Sequence, residues 1–450
     1  MFGQGDKVHL VGIKGVGMTA LAQILKSRGV VVSGSDGAQT FFTDDVLRHL
    51  KIPLMETFDA KNIPADVTAV ISSTAYFFEG KALMGNVEVE SALKRGLNVL
   101  TYPQALGEIA KEHKVIAVAG SHGKSTTTAL LGWILEQCGA DPTVIVGTKV
   151  NQWESNARAG KSEWLVIEAD EYREAFLQYP PFGALITSID YDHPDYFKTE
   201  ASYVKAFTKL AKSVSKEGFL IGCGDDKRVE KIVSQTYGFD DKNDVVAVDG
   251  GVVKHQQCFT LEAGDKRFTG AIMFPGKQYV LNTAGAVATA VAMGIDMKQA
   301  VEAVKTFPGT ARRLEIVSQT KDAVIIDDYA HHPTAITVTL DGIRRMYPER
   351  RVIALFQPHM YSRTKEFLSD FARCFTPAHA VGIMDVYPSA RETTGPVGGK
   401  ELYEATRRNH PSVHYLKTRE EAKRFIKEFA VNGNVVVLMG AGDVGDLARN

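Results

Sequence analysis

The chain has 450 residues, 44% hydrophobic and 23% charged. That is an ordinary globular composition, and at about 150 residues per domain it suggests three domains. Lys and Arg number 52 against 53 Asp and Glu, a formal net charge of −1, which excludes wholesale binding to nucleic acid or an anionic membrane and leaves any phosphate ligand to be met locally.

The first third alternates strand-like and helix-like runs. Val8–Ile13 reads as a buried strand, and Met18, Leu21, Ala22 and Leu25 follow at helical spacing, with Gly29 at the helix end. Val30–Ser33, Ala69–Ser73 and Leu97–Thr101 are further strands. A second start comes at Val115–Ala119, followed by a glycine-rich turn and a helix over Ser125–Cys138. Trp164–Ile167 and Ala184–Ile189 are further buried strands, and Asn282–Met293 is helical. The third start, near Pro308–Arg313, leads to strands at Val324–Asp328, Val352–Phe356, Ala380–Met384 and Val435–Met439, with a helix over Glu420–Phe429. Strands alternating with helices imply parallel α/β sheets, with domains over 1–110, 111–310 and 311–450. Cys138, Cys223, Cys258 and Cys374 are far apart and form no CxxC pair. That pattern argues against a thiolate metal site or a disulfide scaffold and for a reducing cytoplasm. Residues 1–13 lack a basic stretch before a long apolar run, and no stretch reaches about 18 apolar residues, so neither an export signal nor a membrane span is expected.

Gly120-Ser121-His122-Gly123-Lys124-Ser125-Thr126 joins a strand to a helix. Glycines there let backbone N–H groups face phosphate oxygens, Lys124 can reach the β/γ-phosphates, and Ser125 can ligate Mg²⁺. Gly12-Ile13-Lys14-Gly15-Val16-Gly17 occupies a similar junction, and Asp36 ends the next strand. This loosely matches a dinucleotide fingerprint, so NAD, another diphosphate and a plain tight turn all stay open. Glu168-Ala169-Asp170-Glu171 follows a strand, where carboxylates either hold Mg²⁺ or form a solvated acidic loop. Asp190-Tyr191-Asp192-His193 also follows a strand, and His193 suits a metal ligand or a proton acceptor. Asp327–Pro333 and Gln357–Arg363, rich in His, Tyr and Arg, suggest a site that reads carboxylate and phosphate groups.

Together these residues resemble the Mur ligase family, ATP-dependent amide-forming enzymes of peptidoglycan synthesis. The phosphate loop, EADE at Glu168, DH at Asp192, RR at Arg312 and DDYAHHPTA at Asp327 occur in family order over essentially the whole chain. The resemblance implies an α/β fold with the three-domain Mur ligase architecture: a Rossmann-like N-terminal domain for the UDP-sugar, a central P-loop ATPase domain, and a Rossmann-like C-terminal domain for the amino acid. GIKGVGM at Gly12 with GSD at Gly34, FQPHMYSRT at Phe356 and MGAGDV at Met439 point to the branch that joins L-alanine to UDP-N-acetylmuramate. Recycling of the murein tripeptide is the alternative, and a non-catalytic nucleotide-binding regulator is another. The resemblance implies ATP as co-substrate and two Mg²⁺ ions, held by Ser125, Glu168 and His193. ATP would meet Gly120 through Thr126, Asn282, Arg313 and Asp328. The UDP-sugar would meet Gly15, Val16, Gly17, Asp36, Ser72 and Ser73, and the amino acid Tyr329, His331, His359 and Arg363. Lys124, His193, His331 and Arg363 would carry the chemistry. The expected protein is a cytoplasmic monomer or homodimer with small-molecule substrates and no nucleic acid or membrane partner. Lys14, Ser188, Gln278, Tyr279 and Met360 depart from the usual family residues. Phe207 stands where later members of the family carry a modified lysine, as expected for the alanine branch.

Overall fold

The computed structural model describes residues 2–388 and 392–449. Its first stretch runs β1 (Lys7–Val11), α1 (Val16–Ser27), β2 (Val31–Ser35), α2 (Phe42–His49), β3 (Leu54–Met55), β4 (Ala69–Ser72), β5 (Phe77–Phe78), β6 (Lys81–Ala82), α3 (Val87–Lys94), β7 (Val99–Thr101) and α4 (Tyr102–Ala110). Helical crossovers make successive strands parallel, and five of them form a sheet in the order β3-β2-β1-β4-β7, with β5 and β6 as a separate hairpin. Val8 faces Val32 on one side and Ala69 on the other. The strand order therefore reverses at β1, and the end of β1 is a switch point of the kind at which open α/β sheets bind ligands.

The pattern repeats in β8 (Lys114–Ala119), α5 (Lys124–Gln137), β9 (Thr143–Val150), β10 (Ser155–Arg158), β11 (Trp164–Glu168), β12 (Gly183–Ile186), α6 (Glu200–Ser213) and β13 (Phe219–Cys223). Their order is β10-β9-β11-β8-β12-β13, and only β10 is antiparallel to its neighbour. β8 is a second switch point, with β11 on one side and β12 on the other. Both faces of β8 are covered, which is why Val115–Ala119 is an unbroken apolar run.

Next come α7 (Lys227–Glu230), β14 (Gln235–Gly238), β15 (Val245–Val253), β16 (Gln256–Ala263), β17 (Lys266–Ile272), α8 (Lys277–Ala292) and α9 (Met297–Val304). β15, β16 and β17 form an antiparallel meander. The last stretch contains β18 (Glu315–Gln319), β19 (Ala323–Asp328), α10 (Pro333–Met346), β20 (Val352–Phe356), α11 (Tyr361–Glu366), α12 (Leu368–Phe371), β21 (Ala380–Met384), α13 (Gly399–Arg407), β22 (Val413–Leu416), α14 (Arg419–Phe429) and β23 (Asn434–Met439). They form a six-stranded sheet in the order β18-β19-β23-β20-β21-β22, parallel except at β18. Ile353, Leu355, Val436 and Leu438 of this sheet pack against Phe425 and Ile426 of α14.

The chain forms two compact units. One runs to Ile189 and adds Lys205–Thr236 and Gly285–Ala303; the other holds Asp190–Val204, Tyr237–Ala284 and the chain from Val304 on. Within the first unit, Ser155 Oγ donates to Gln23 Oε1 (2.6 Å) and Asn156 Nδ2 donates to the Val16 carbonyl (2.7 Å). These bonds tie β10 to α1. Among the described residues, no helix is long and apolar enough to cross a membrane.

Candidate functional site

The phosphate loop connects β8 to α5. Gly120 has φ +136°, and a Cβ there would stand 2.0 Å from Thr187 Oγ1, so the backbone path requires glycine. Thr187 Oγ1 in turn donates to the His122 carbonyl (2.6 Å), and the His122 N–H donates to Ser188 Oγ (3.1 Å). The β12 end thus braces the loop from outside. Ser125 and Thr126 are buried in the first turn of α5, and Ser125 Oγ donates to Glu168 Oε1 (2.7 Å) at the end of β11. The other Glu168 oxygen accepts from the Gly147 N–H. A hydroxyl and a carboxylate at adjacent strand and helix ends are hard oxygen donors, a set that fits Mg²⁺.

Lys124 reaches back to the Gly120 carbonyl and forms an ion pair with Glu171 (2.9 Å). Burial works against its charge. Glu171, Asp170 and Glu168 more than offset that and hold its pKa above the ordinary lysine value. The expected phosphate-binding lysine is therefore a charged group with a carboxylate in its grip. Glu171 was not singled out from the sequence, where nothing distinguished it within the acidic run. Neither was Arg173, two residues on. Arg173 and Glu174 have φ +53° and +55°, and the Arg173 guanidinium lies 4.6 Å from the centroid of the Phe78 ring in β5.

At the first glycine loop, Gly15 caps α1 and Asp36 follows β2. Asp36 accepts the N–H groups of Lys14 (2.8 Å) and Gly37 (2.8 Å), so its carboxylate braces this loop. Ser72 is buried and donates to the Ser73 carbonyl (3.1 Å), while Ser73 N–H donates to the Val11 carbonyl (2.9 Å). These residues, with Gly15, Val16 and Gly17, share the switch point of the first sheet. The Lys14 side chain is fully buried, paired with Asp44 (2.9 Å) and Glu56 (3.2 Å).

The second unit holds a separate cluster. Arg363 of α11 is 5% exposed and Asp192 9%. Arg363 Nε and Nη2 donate to Asp192 Oδ1 (3.2 and 3.0 Å), and Nη2 also donates to Oδ2 (3.1 Å). Burial alone would raise the Asp192 pKa, but Arg363, then His193 and His331, pull it far below the carboxylate range. His193 has φ +57° and its ring lies 4.0 Å from Asp192 Oδ2. His331 Nδ1 donates to the Tyr329 carbonyl (2.9 Å), because a carbonyl only accepts. Burial and then Arg363 push the His331 pKa well below its ordinary value. The ring is therefore neutral near pH 7, with an unprotonated Nε2. His359 is pushed down to about 4 by the same two causes, and it stacks on Tyr387 at 6.1 Å. His331 and His359 meet edge to face at 6.5 Å.

Two guanidinium groups lie close to the Tyr329 ring, Arg312 at 5.2 Å and Arg313 at 5.1 Å from its centroid. Asp328, the expected ribose partner, is buried and accepts the N–H groups of Leu314 (2.8 Å) and Ala330 (2.9 Å). It clasps the segment that carries the two arginines, and burial raises its pKa despite Arg313. Asn282 is half-buried in α8. The structure thus brings together Lys124, Ser125 and Glu168 in one unit, and His193, Tyr329, His331, His359 and Arg363 in the other.

The catalytic domain of the Mur ligase family matches residues 7–114, its middle domain 118–290, and its glutamate ligase domain 312–442. The chain is 37% identical to UDP-N-acetylmuramate–L-alanine ligase of Desulfitobacterium hafniense, covering 97% of each. It is 36% identical to the enzyme of the same name from Caldanaerobacter subterraneus, over 98% of this chain and 96% of that one. The crystal structure of UDP-N-acetylmuramate-alanine ligase from Thermotoga maritima superposes with a TM-score of 0.84 at 25% identity, covering 98% and 97%. A murein peptide ligase from Psychrobacter arcticus gives 0.71 at 25% identity, covering 99% and 98%. With matches to all three domain types in order, and full-length likeness above 30%, the chain belongs to the Mur ligase family.

Proposed function

We propose that this chain is an ATP-dependent ligase that joins L-alanine to the carboxylate of UDP-N-acetylmuramate, releasing ADP and phosphate, in peptidoglycan precursor synthesis. The observation that carries this reading is the full-length likeness to enzymes of that name, together with a phosphate loop whose lysine is charged and held beside the Ser125–Glu168 pair. Residues 1–110 would serve the UDP-sugar, 111–310 ATP and 311–450 the amino acid. The four cysteines are free, which suits the reducing cytoplasm proposed as its compartment.

A carboxylate is a poor acyl donor because its leaving group would be oxide. A carboxylate oxygen of the sugar attacks the γ-phosphorus of ATP, and ADP leaves. The alanine nitrogen then attacks the acyl carbon, phosphate leaves, and an amide remains. Lys124 would release Glu171 and follow the transferred phosphoryl oxygens, whose charge grows along the reaction. Ser125 and Glu168 would hold one Mg²⁺, with His193 serving a second. When bound, the metal supplies positive charge to the phosphoryl oxygens. Gly15, Val16, Gly17, Asp36, Ser72 and Ser73 are proposed for the UDP-sugar, and Asn282, Arg313 and Asp328 for the nucleoside of ATP. Arg363, His359 and Tyr329 would orient the amino acid. The ammonium of alanine must lose a proton before attack, and neutral His331, a weakened base, would accept a hydrogen bond from that nitrogen at Nε2.

Phosphate release with ATP, Mg²⁺ and UDP-N-acetylmuramate, measured against L-alanine, L-serine, glycine and the murein tripeptide, tests the assignment. L-alanine is expected to give the highest kcat/KM. A tripeptide that outpaces L-alanine would transfer the chain to the recycling branch.

A further inference from the structure

Arg173 is not explained by the fold. Its Nη1 is shut off from solvent and has no hydrogen-bond acceptor among the described residues. A guanidinium donor left without a partner in a dry setting is costly, and such a group in a native structure calls for a reason. The backbone pays as well. Arg173 and the residue after it both sit in the left-handed region, at φ +53° and +55°, and neither is glycine. Glu174, by contrast, is satisfied: Lys209 binds both of its oxygens at 2.6 and 2.8 Å.

The side chain is held in place without being neutralised. Its guanidinium carbon lies 4.6 Å from the Phe78 centroid and 5.7 Å from that of Tyr172. Aromatic faces steady a guanidinium while leaving its N–H fork for an oxyanion. The location is specific. Two residues upstream is Glu171, which holds Lys124 of the phosphate loop, and two residues of chain span at most about 7.6 Å between α-carbons. On the other side, Phe78 belongs to the hairpin that follows the Ser72–Ser73 turn at the switch point of the first sheet. Arg173 thus extends from the neighbourhood of the phosphate-loop lysine to the neighbourhood of the proposed UDP-sugar residues, all within one compact unit.

We propose that Arg173 binds the carboxylate of the UDP-sugar, the group that becomes phosphorylated. The diphosphate of that substrate already has the first glycine loop. The remaining anion must come to the γ-phosphate, and a planar fork with an unpartnered Nη1, two residues along the chain from Glu171, matches a carboxylate. This rests on the ligase reading above and adds to it the residue that selects an acid-bearing sugar.

The test compares two ligands, UDP-N-acetylmuramate and UDP-N-acetylglucosamine, which lacks the carboxylate. Binding is followed by calorimetry on the full chain, with ADP–Mg²⁺ binding as a control for folding. The wild type is expected to favour the acid-bearing sugar by at least tenfold. Arg173→Met, which keeps bulk against Phe78, is expected to lower that preference to within about threefold while ADP binding holds. Arg173→Lys is expected to restore part of it, and to decide the matter if Arg173→Met fails to bind ADP. A full preference in the variants, beside a normal wild type, overturns the role of Arg173 and leaves the ligase reading standing. A wild type that binds neither sugar overturns both.

Discussion

Two of the molecule's cation–carboxylate pairs have opposite design. Lys124 and Glu171 meet through a single ammonium on a flexible stem, with the lysine side chain 16% exposed. Arg363 and Asp192 meet through three hydrogen bonds in a setting where neither side chain exceeds 9% exposure. A lysine is a point charge that can rotate from one oxyanion to another at little cost. A forked guanidinium locked on a carboxylate fixes geometry instead. The first pair is suited to exchanging Glu171 for phosphate, and the second to holding its surroundings still. The loops differ in the same sense. The phosphate loop turns on glycines with positive φ, Gly120 and Gly123, whereas the second cluster places His193, Arg312 and Met360 in that region.

The largest expected effect separates the two pairs by function. Lys124→Met should lower turnover by roughly 10²–10³-fold or more, because it removes the charge proposed to follow the phosphoryl group. Phosphate release under saturating substrates measures it. Retention of near-normal turnover would place the chemistry elsewhere. The same substitution should cost less stability than the next one, since Lys124 is the wetter cation.

Arg363→Met should cost about 3 kcal/mol of folding stability, because it leaves Asp192 charged, dry and without its main partner. Urea denaturation gives the value. Asp192→Asn added to Arg363→Met should recover part of the loss, and a double-mutant cycle that shows additivity would mean the pair does not act as a unit. In the ligase assay, Arg363→Lys should raise the KM for the amino acid more than the KM for ATP, a split that Lys124→Met would not reproduce.

These contrasts also decide what could be read from the sequence. The phosphate loop was legible because its seven residues are contiguous and sit at a strand–helix junction. Ser125 was legible as part of that loop, and Glu168 as a carboxylate at the end of a buried strand. The Arg363–Asp192 bond joins residues 171 positions apart, and neither loop announces the other. The central strands β8, β11, β19, β20, β21 and β23 are covered on both faces and stood out as apolar runs. The meander β15–β17 did not, because its strands mix buried and exposed positions along sequences such as VVAVDGGVV. The edge strands β18 and β22 escaped for the same reason. Lys14 was visible only as a departure from the family pattern. Its pairing with Asp44 and Glu56 depends on α2 and β3 converging on the loop, which no local pattern encodes. Arg173 had no signal at all, since an arginine after an acidic run reads as ordinary surface charge.

A smaller effect distinguishes the second cluster by pH. An unfolded histidine takes up its proton near pH 6.5, whereas folded His359 waits until about 4. Between those values the unfolded chain binds more protons, so folding stability falls as pH drops from about 6.5 towards 4. The share of His359 is on the order of 2 kcal/mol, reduced by its partial exposure. His331 adds to the slope in the same direction. Denaturation midpoints at about pH 7, 6, 5 and 4, with His359→Gln alongside, measure this. A variant whose pH slope equals that of the wild type would remove His359 from the account.

The smallest effect concerns Met360, the residue with φ +68° and ψ 130° at the start of α11. Its backbone is pinned on both sides: its N–H donates to the Tyr387 carbonyl (3.2 Å), and its carbonyl accepts from Thr364 N–H (3.1 Å) and Oγ1 (2.8 Å). A side chain held there costs about 1–3 kcal/mol. Glycine carries no such cost and adds about 0.5–1 kcal/mol of chain entropy to the unfolded state. Met360→Gly is therefore expected to stabilise the fold by about 1 kcal/mol, read as a higher urea midpoint with an unchanged slope. The neighbouring His359 and Arg363 should feel the added freedom, so the KM for the amino acid should rise while that for ATP stays put. A variant that loses stability would show that the Met360 side chain, and not its strained backbone, is what the second cluster needs. The contrast with the glycine-built phosphate loop would then lie in packing.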